Sequence, residues 1–184
     1  LRRSLTSPVS PLLHTLVHTQ RRGPYSIWSA IITANDHYVV SCSNDGQAKV
    51  WEMVTGRLVH ILKGHTGGVC SVVVSPDNCH IATGSFDTTI KIWSLDGGQL
   101  LHTLTGHHEK IIHLKITQDS RHIISSSADG KIIVWDLESA QQIYCLEENS
   151  ETAFRVSLVL PPDARYAITG SNDGIIKVLD IESG

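Results

Sequence analysis

The amino-acid sequence predicts an all-β chain built from repeated four-stranded antiparallel sheets. Two observations carry that prediction. The first is recurrence. Asp45, Asp87 and Asp129 sit in turn-like triplets at a step of 42 residues, Asp173 follows 44 residues later, and Trp51, Trp93, Trp135 and Leu179 each stand six residues beyond them. A period of roughly 40–45 residues marks a supersecondary unit that buries its apolar faces against its neighbours. The second is alternation. Ala48 and Val50, Ile90 and Ile92, Ile132 and Val134, and Ile176 and Val178 flank Lys49, Lys91, Ile133 and Lys177. That period of two sends one set of side chains to one face of a strand.

In chain order, residues 1–11 carry Pro8 and Pro11 and are expected to be a flexible lead, with Arg2 and Arg3 as solvated charge. Leu12-Leu13-His14-Thr15-Leu16 repeats Leu100-Leu101-His102-Thr103-Leu104, so residues 12–16 are expected to form the outer strand of a preceding unit. The loop from Val17 to Pro24 is four residues longer than its counterparts, and loops tolerate insertions and often carry function. The repeats then fall at about 25–62, 64–104, 106–146 and 148–184. Ser75-Pro76-Asp77-Asn78, Gln118-Asp119-Ser120 and Pro161-Pro162-Asp163-Ala164 have the composition of turns between first and second strands. Between second and third strands, Asn44-Asp45-Gly46, Ala128-Asp129-Gly130 and Asn172-Asp173-Gly174 each supply a Gly for the positive φ of a tight hairpin. Phe86-Asp87-Thr88 lacks that Gly, which predicts either another turn type or strain. Third and fourth strands are joined by Val54-Thr55-Gly56, Asp96-Gly97-Gly98 and Glu138-Ser139-Ala140, and the chain reaches the same point at Glu182-Ser183-Gly184, so a last outer strand is not expected.

A chain of 184 residues can bury roughly 70% of its unfolded surface as one domain. A net charge of −3 with mixed signs lacks the basic stripe that nucleic acid or an anionic membrane would need. Cys42, Cys70, Cys79 and Cys145 form no C-x-x-C pair and fall at different points of the repeat, which suggests neither zinc nor a disulfide frame and fits a reducing compartment. No apolar run approaches the ~18 residues of a membrane span, and the opening LRRSLTSPVS has no apolar core for a signal peptide. A soluble, cytoplasmic protein is therefore expected. Its first residue, Leu1, points to a processed chain or a fragment of a longer one.

Gly64-His65 and Gly106-His107 open units that close on Trp93 and Trp135. With the four copies in register from Leu12 to Gly184, the sequence resembles the WD-repeat β-propeller family. The resemblance implies propeller blades, and four of them imply an open arc, an incomplete propeller. Closing the ring with residues 12–16, or pairing two chains, is possible in principle, and neither is favoured by the sequence. It also implies a buried hydrogen-bond network from the third-strand Trp through a second-strand hydroxyl to the loop His and the turn Asp. Two copies of that network are complete: His65, Thr83, Asp87 and Trp93, then His107, Ser125, Asp129 and Trp135. Ser41, Asp45 and Trp51 lack the His, and Thr169, Asp173 and Leu179 lack both His and Trp, so the outer blades are expected to be the less stable ones.

Hydroxyl, imidazole and carboxylate also form the constellation of a nucleophilic triad. A catalytic triad is needed once and needs no Trp, whereas this set recurs at 42 residues, so the architectural reading is preferred and no catalytic residue is assigned. The eleven histidines raise a metal site, but His60 and His102, like His80 and His122, differ by the repeat length. They are expected on separate blades, and neither metal nor cofactor is assigned. Cys70 is read as a small core or rim residue rather than a reactive thiol.

The resemblance implies that partner proteins bind the face carrying the loops before first strands and the turns after second strands. By position that face holds Trp28, Asn44, Phe86, Lys110 and Asn172. Trp28 either contacts a partner or fills the space of the missing His. The implied function is a non-enzymatic scaffold for protein–protein assembly, with no nucleic acid, membrane insertion or small-molecule substrate expected. The irregular outer repeats are also similar to those of NACHT-and-WD-repeat proteins, which gives the alternative of a sensory or regulatory part of a larger nucleotide-binding switch. The chain itself contains no G-x-x-x-x-G-K-[ST] phosphate loop.

Overall fold

The computed structural model describes residues 14–18, 25–146, 155–161, 165–171 and 174–181. The expected lead at 1–11, Leu12, Leu13, Asn172, Asp173 and the final Glu182-Ser183-Gly184 lie outside the described residues. Among those described, the regular structure is strand alone, in antiparallel sheets that each follow chain order. The first sheet holds β1 (Ile27–Ile32), β2 (Tyr38–Ser43), β3 (Gln47–Glu52) and β4 (Leu58–Lys63). The second holds β5 (Val69–Val74), β6 (His80–Ser85), β7 (Ile90–Ser94) and β8 (Leu100–Leu104). The third holds β9 (Ile111–Ile116), β10 (His122–Ser127), β11 (Ile132–Asp136) and β12 (Gln142–Leu146). The fourth holds β13 (Arg155–Val159), β14 (Tyr166–Ser171) and β15 (Ile176–Asp180). This is the all-β, blade-like architecture that the repeat predicts.

Alternation along the strands gives each sheet two apolar faces, and the core lies between sheets. Val40, Ala48 and Val50 of the first sheet share a buried cluster with Val72, Ile81 and Trp93 of the second. Ile90 and Ile92 do so with Leu114, Ile123 and Trp135 of the third, and Ile132 and Val134 with Leu158, Ala167 and Leu179 of the fourth. Each fully buried aliphatic contributes about 1.5–3 kcal/mol, so neighbouring sheets hold one another in place. First strands touch in succession, β1 on β5, β5 on β9 and β9 on β13, which gathers the loops at their ends on one rim. Residues 14–17 form no ladder, but the His14 Nε2–H donates to Val54 O at 2.6 Å. That is the contact His60 on β4 makes with Asp96 O of the following sheet at 2.8 Å.

The turn without glycine keeps its type and carries strain. Thr88 has φ 72°, where Gly46, Gly130 and Gly174 have 81°, 79° and 82°. Its N–H donates to Ser85 O, as those of Gly46 and Gly130 donate to Ser43 O and Ser127 O. A β-branched residue in the left-handed region is a genuine outlier. The surrounding bonds hold it there: Asp87 N–H donates to Ser85 Oγ, while Asp87 Oδ1 accepts from Thr89 N–H and Thr89 Oγ1.

Candidate functional site

Two elements and a loop assemble each network. In the second sheet the Trp93 indole Nε1–H on β7 reaches Thr83 Oγ1 on β6 at 2.9 Å. His65, in the loop before β5, lies 2.8 Å from Thr83 Oγ1 through Nε2 and 2.8 Å from Asp87 Oδ2 through Nδ1. The third sheet repeats it. Trp135 Nε1–H donates to Ser125 Oγ at 2.9 Å, His107 Nε2 is 2.8 Å from that hydroxyl, and Nδ1 is 3.0 Å from Asp129 Oδ2. One proton arrangement gives every bond a donor: indole to hydroxyl, hydroxyl to Nε2, and Nδ1–H to carboxylate. Neutral imidazole fits it. Burial lowers the pKa of His65, and this outweighs the opposing pull of Asp87.

The carboxylates are ionised. Burial pushes Asp87 up, but hydrogen bonds from Thr89, Thr66 N–H and His65 together hold it down to about 2. Asp129 is likewise raised by burial and brought down to about 2 by His107 and by the N–H groups of His108 and Lys131. Thr83 and Ser125 are 0% exposed, and each oxygen already receives an indole proton. A substrate carbonyl cannot approach either hydroxyl, so these sets work as buried struts.

The first sheet differs from the sequence reading. His18 supplies the histidine that Ser41, Asp45 and Trp51 were expected to lack. Its Nδ1 lies 2.9 Å from Ser41 Oγ, which accepts Trp51 Nε1–H at 2.8 Å, and Lys49 Nζ donates to its carbonyl. The ring is turned over relative to His65, and Nε2 stands 3.6 Å from Asp45 Oδ1, beyond hydrogen-bond reach. The first sheet thus has a weakened network instead of none. The signal is in the sequence one residue out of step, since His65 and His107 follow Leu62 and Leu104 by three positions and His18 follows Leu16 by two. In the fourth sheet Thr169 and Leu179 are buried at 1% and 6%, and Asp173 is outside the described residues.

The rim brings three of the five face residues together. Each first strand has a β-bulge near its start: the register skips Trp28 between Ile27 and Ser29, Cys70 between Val69 and Ser71, and Ile112 between Ile111 and His113. A bulge re-aims the extra residue away from the ladder. Trp28 is 51% exposed and meets the 37%-exposed Phe86 edge to face, with ring centroids 5.1 Å apart. Lys110 Nζ stands 5.5 Å from the centre of the Phe86 ring. Asn44 is exposed on the same rim, where its N–H donates to Ser26 O as Phe86 N–H does to Gly68 O. The sequence placed Trp28, Phe86 and Lys110 on one face; it carried no signal that they touch. At Cys70, burial pushes the thiol up to about 12, so it is protonated near neutrality.

His60 on β4 and His102 on β8 lie in different sheets, as do His80 on β6 and His122 on β10, while His80 and His102 line one cleft with Asp77 and Asp136. Among the described residues no group of three or more His, Cys, Asp or Glu is placed to hold a metal ion. A family model described as WD domain, G-beta repeat matches residues 11–52, 56–94, 98–136 and 140–180. Its second, third and fourth segments each begin before an outer strand and end at the third strand of the next sheet. No curated protein matches the chain.

Proposed function

This chain belongs to the WD domain, G-beta repeat family, and from that premise we propose a non-enzymatic scaffold that docks partner proteins on the rim of Trp28, Phe86 and Lys110. Members of the family generally mediate protein–protein contacts. The observation that carries the reading here is the exposed aromatic pair bridging two sheets, with a lysine at its flank. Single exposed apolar residues are ordinary on a protein surface, but contiguous aromatics beside a cation have the composition of interface hot spots, where one truncation costs ~2 kcal/mol or more. Burial of Thr83 and Ser125 supports the non-enzymatic part. The reading places the scaffold in the cytoplasm, the reducing compartment its cysteine spacing suggests. Asn44 and Asn172 complete the proposed face by their places in the repeat. The finer likeness to NACHT-and-WD-repeat proteins gains nothing from the family match, and no observation favours the switch-protein alternative.

The test is quantitative capture by wild-type protein and by a Trp28→Ala/Phe86→Ala variant whose circular dichroism is unchanged. Loss of the captured proteins, by roughly 30-fold or more for a ~2 kcal/mol anchor, is expected. Full retention of every partner by the folded variant would show that the face is wrongly assigned.

A further inference from the structure

The junction of the second and third sheets carries a cleft of about 480 Å³, within the size range of ligand sites. Asp77 lies in the turn after β5, His80 opens β6 and His102 is on β8, while Arg121 precedes β10, Asp136 ends β11 and Glu138 follows it. These are the strand ends opposite the rim of Trp28, Phe86 and Lys110. The same backbone frame stands at the junction of the first and second sheets. There Asn35 N–H donates to Asn78 Oδ1, as Asp77 N–H donates to Ser120 Oγ at the cleft. The side chains do not recur with the frame. Asn35, Tyr38, Cys79 and Ser94 stand 42 residues before Asp77, His80, Arg121 and Asp136. Groups needed only to hold two sheets together would repeat, and these charges do not.

One exchange also turns a histidine toward the cleft. His14 and His60 each seat against a glycine, Gly56 and Gly98, and donate to Val54 O and Asp96 O. A Cβ on Gly98 would fall 2.8 Å from His60 Cγ, so the seat exists only without one. The third sheet has Ala140 there, at φ 59° against 63° for Gly98. His102 accordingly makes no bond to Glu138 O, and its ring lines the cleft. In the same cleft His80 Nδ1 is buried with no hydrogen-bond partner among the described residues. Burial raises Asp77, but the Ser75 hydroxyl and Cys79 N–H bring it below the usual carboxylate value, and the N–H and hydroxyl of Ser139 hold Asp136 down. Both are ionised near neutrality. Those bonds fall on Oδ1, so Oδ2 of each keeps its accepting capacity.

We propose that this cleft binds a cationic side chain, arginine or lysine, presented by a partner protein. Its lining is rich in acceptors: three carboxylates stand against the single guanidinium of Arg121, and a neutral imidazole offers one acceptor nitrogen. A guest with several N–H donors and a positive charge satisfies these groups through charge-assisted bonds. A metal ion does not fit, because among the described residues no three ligand-type groups are placed to hold one.

The experiment is titration of the isotope-labelled 184-residue chain with acetylated, amidated tripeptides Gly-Arg-Gly, Gly-Lys-Gly and Gly-Glu-Gly, and with spermidine, followed by amide chemical shifts. Concentrations run to about 10 mM, because one anchoring side chain supports only weak affinity. Shifts confined to the cleft are expected with the arginine or lysine peptide and not with the glutamate peptide. Asp136→Ser keeps the turn, since Ser94 Oγ accepts Gly97 N–H at the equivalent place, and should raise the dissociation constant roughly 10-fold or more. Glu138→Gln, at an exposed position, removes a second charge and should act in the same direction. Ala140→Gly restores the seat, draws His102 onto Glu138 O and should weaken binding about 2–10-fold. Unchanged spectra away from the cleft check that each variant is folded. No response to either basic peptide, an equal response to the glutamate peptide, a preference for spermidine over both basic peptides, or unchanged affinity in all three variants would each overturn the proposal.

Discussion

Replacing Thr88 with glycine should make the protein more stable, although it deletes a side chain. Thr88 holds φ 72° in a turn that Gly46, Gly130 and Gly174 form at 79–82°. A non-glycine residue held in the left-handed region costs about 1–3 kcal/mol, and branching at Cβ places threonine toward the upper part of that range. Glycine returns about 0.4–1 kcal/mol through the greater freedom of its unfolded chain. The net expectation for Thr88→Gly is a gain of ~1–2 kcal/mol, with Asp87 N–H still bonded to Ser85 Oγ. Urea unfolding would show it as a higher midpoint at unchanged slope, and thermal unfolding as a rise of ~2–8 °C. The converse exchange, Gly46→Thr, should lose a comparable amount. A Thr88→Gly protein no more stable than wild type, together with a harmless Gly46→Thr, would refute the argument that this turn stores strain.

Acid should destabilise the fold in two stages. The folded pKa of His65 is lowered by burial, so its contribution is complete above its unfolded value of about 6.5 and declines as pH falls toward its folded value. Asp87 and Asp129, at about 2 when folded, contribute fully above about pH 4 and lose that contribution as pH falls through 2. A urea midpoint that stays level from pH 7 to 2, or one that an Asp87→Asn/Asp129→Asn protein reproduces, would contradict this. Gly84→Ala should cost ~1–3 kcal/mol by overpacking, because its Cβ would fall 2.6 Å from Ile111 Cγ2 and 3.0 Å from Ile111 Cβ. Ile111→Ala in the same protein should recover part of that loss, and strict additivity would argue against contact. His65→Ala strands two good bonds and should cost ~2–3 kcal/mol, whereas His18→Ala, with one, should cost nearer ~1 kcal/mol in the same denaturation assay. Equal losses would mean that the turned-over ring is as well bonded as the others.

What was legible in the sequence followed from spacing and from the resemblance that the spacing supports. His65, Thr83, Asp87 and Trp93 could be set out as a network because the resemblance to WD repeats implies one, and the copy 42 residues later keeps the same kinds of group, with Ser125 for Thr83. His18 was missed because spacing is all that such reading has. Its loop is longer and lacks the preceding Gly, yet the chain still delivers an imidazole to Ser41 by shifting one position and turning the ring over. Thr88 was visible as a conflict between residue and turn, but only the backbone shows that strain, not a new turn, resolves it. The rim was legible as a set of positions. That Trp28 stands out against Phe86 depends on a bulge that breaks the alternation used to place it.

The recurrent bulge sets one residue per first strand outside the pairing that builds the sheet. Trp28, Cys70 and Ile112 are an aromatic, a thiol and an aliphatic at one equivalent place, each outside the ladder that pairs its neighbours. Where the side chain stands in solvent, as at Trp28, that place can be rewritten with little cost to the sheet beneath, whereas Cys70 is tied to Gly84 O and Ile111 O and cannot be exchanged as freely. Duplicated repeats can thus diverge at the rim while their interiors remain alike.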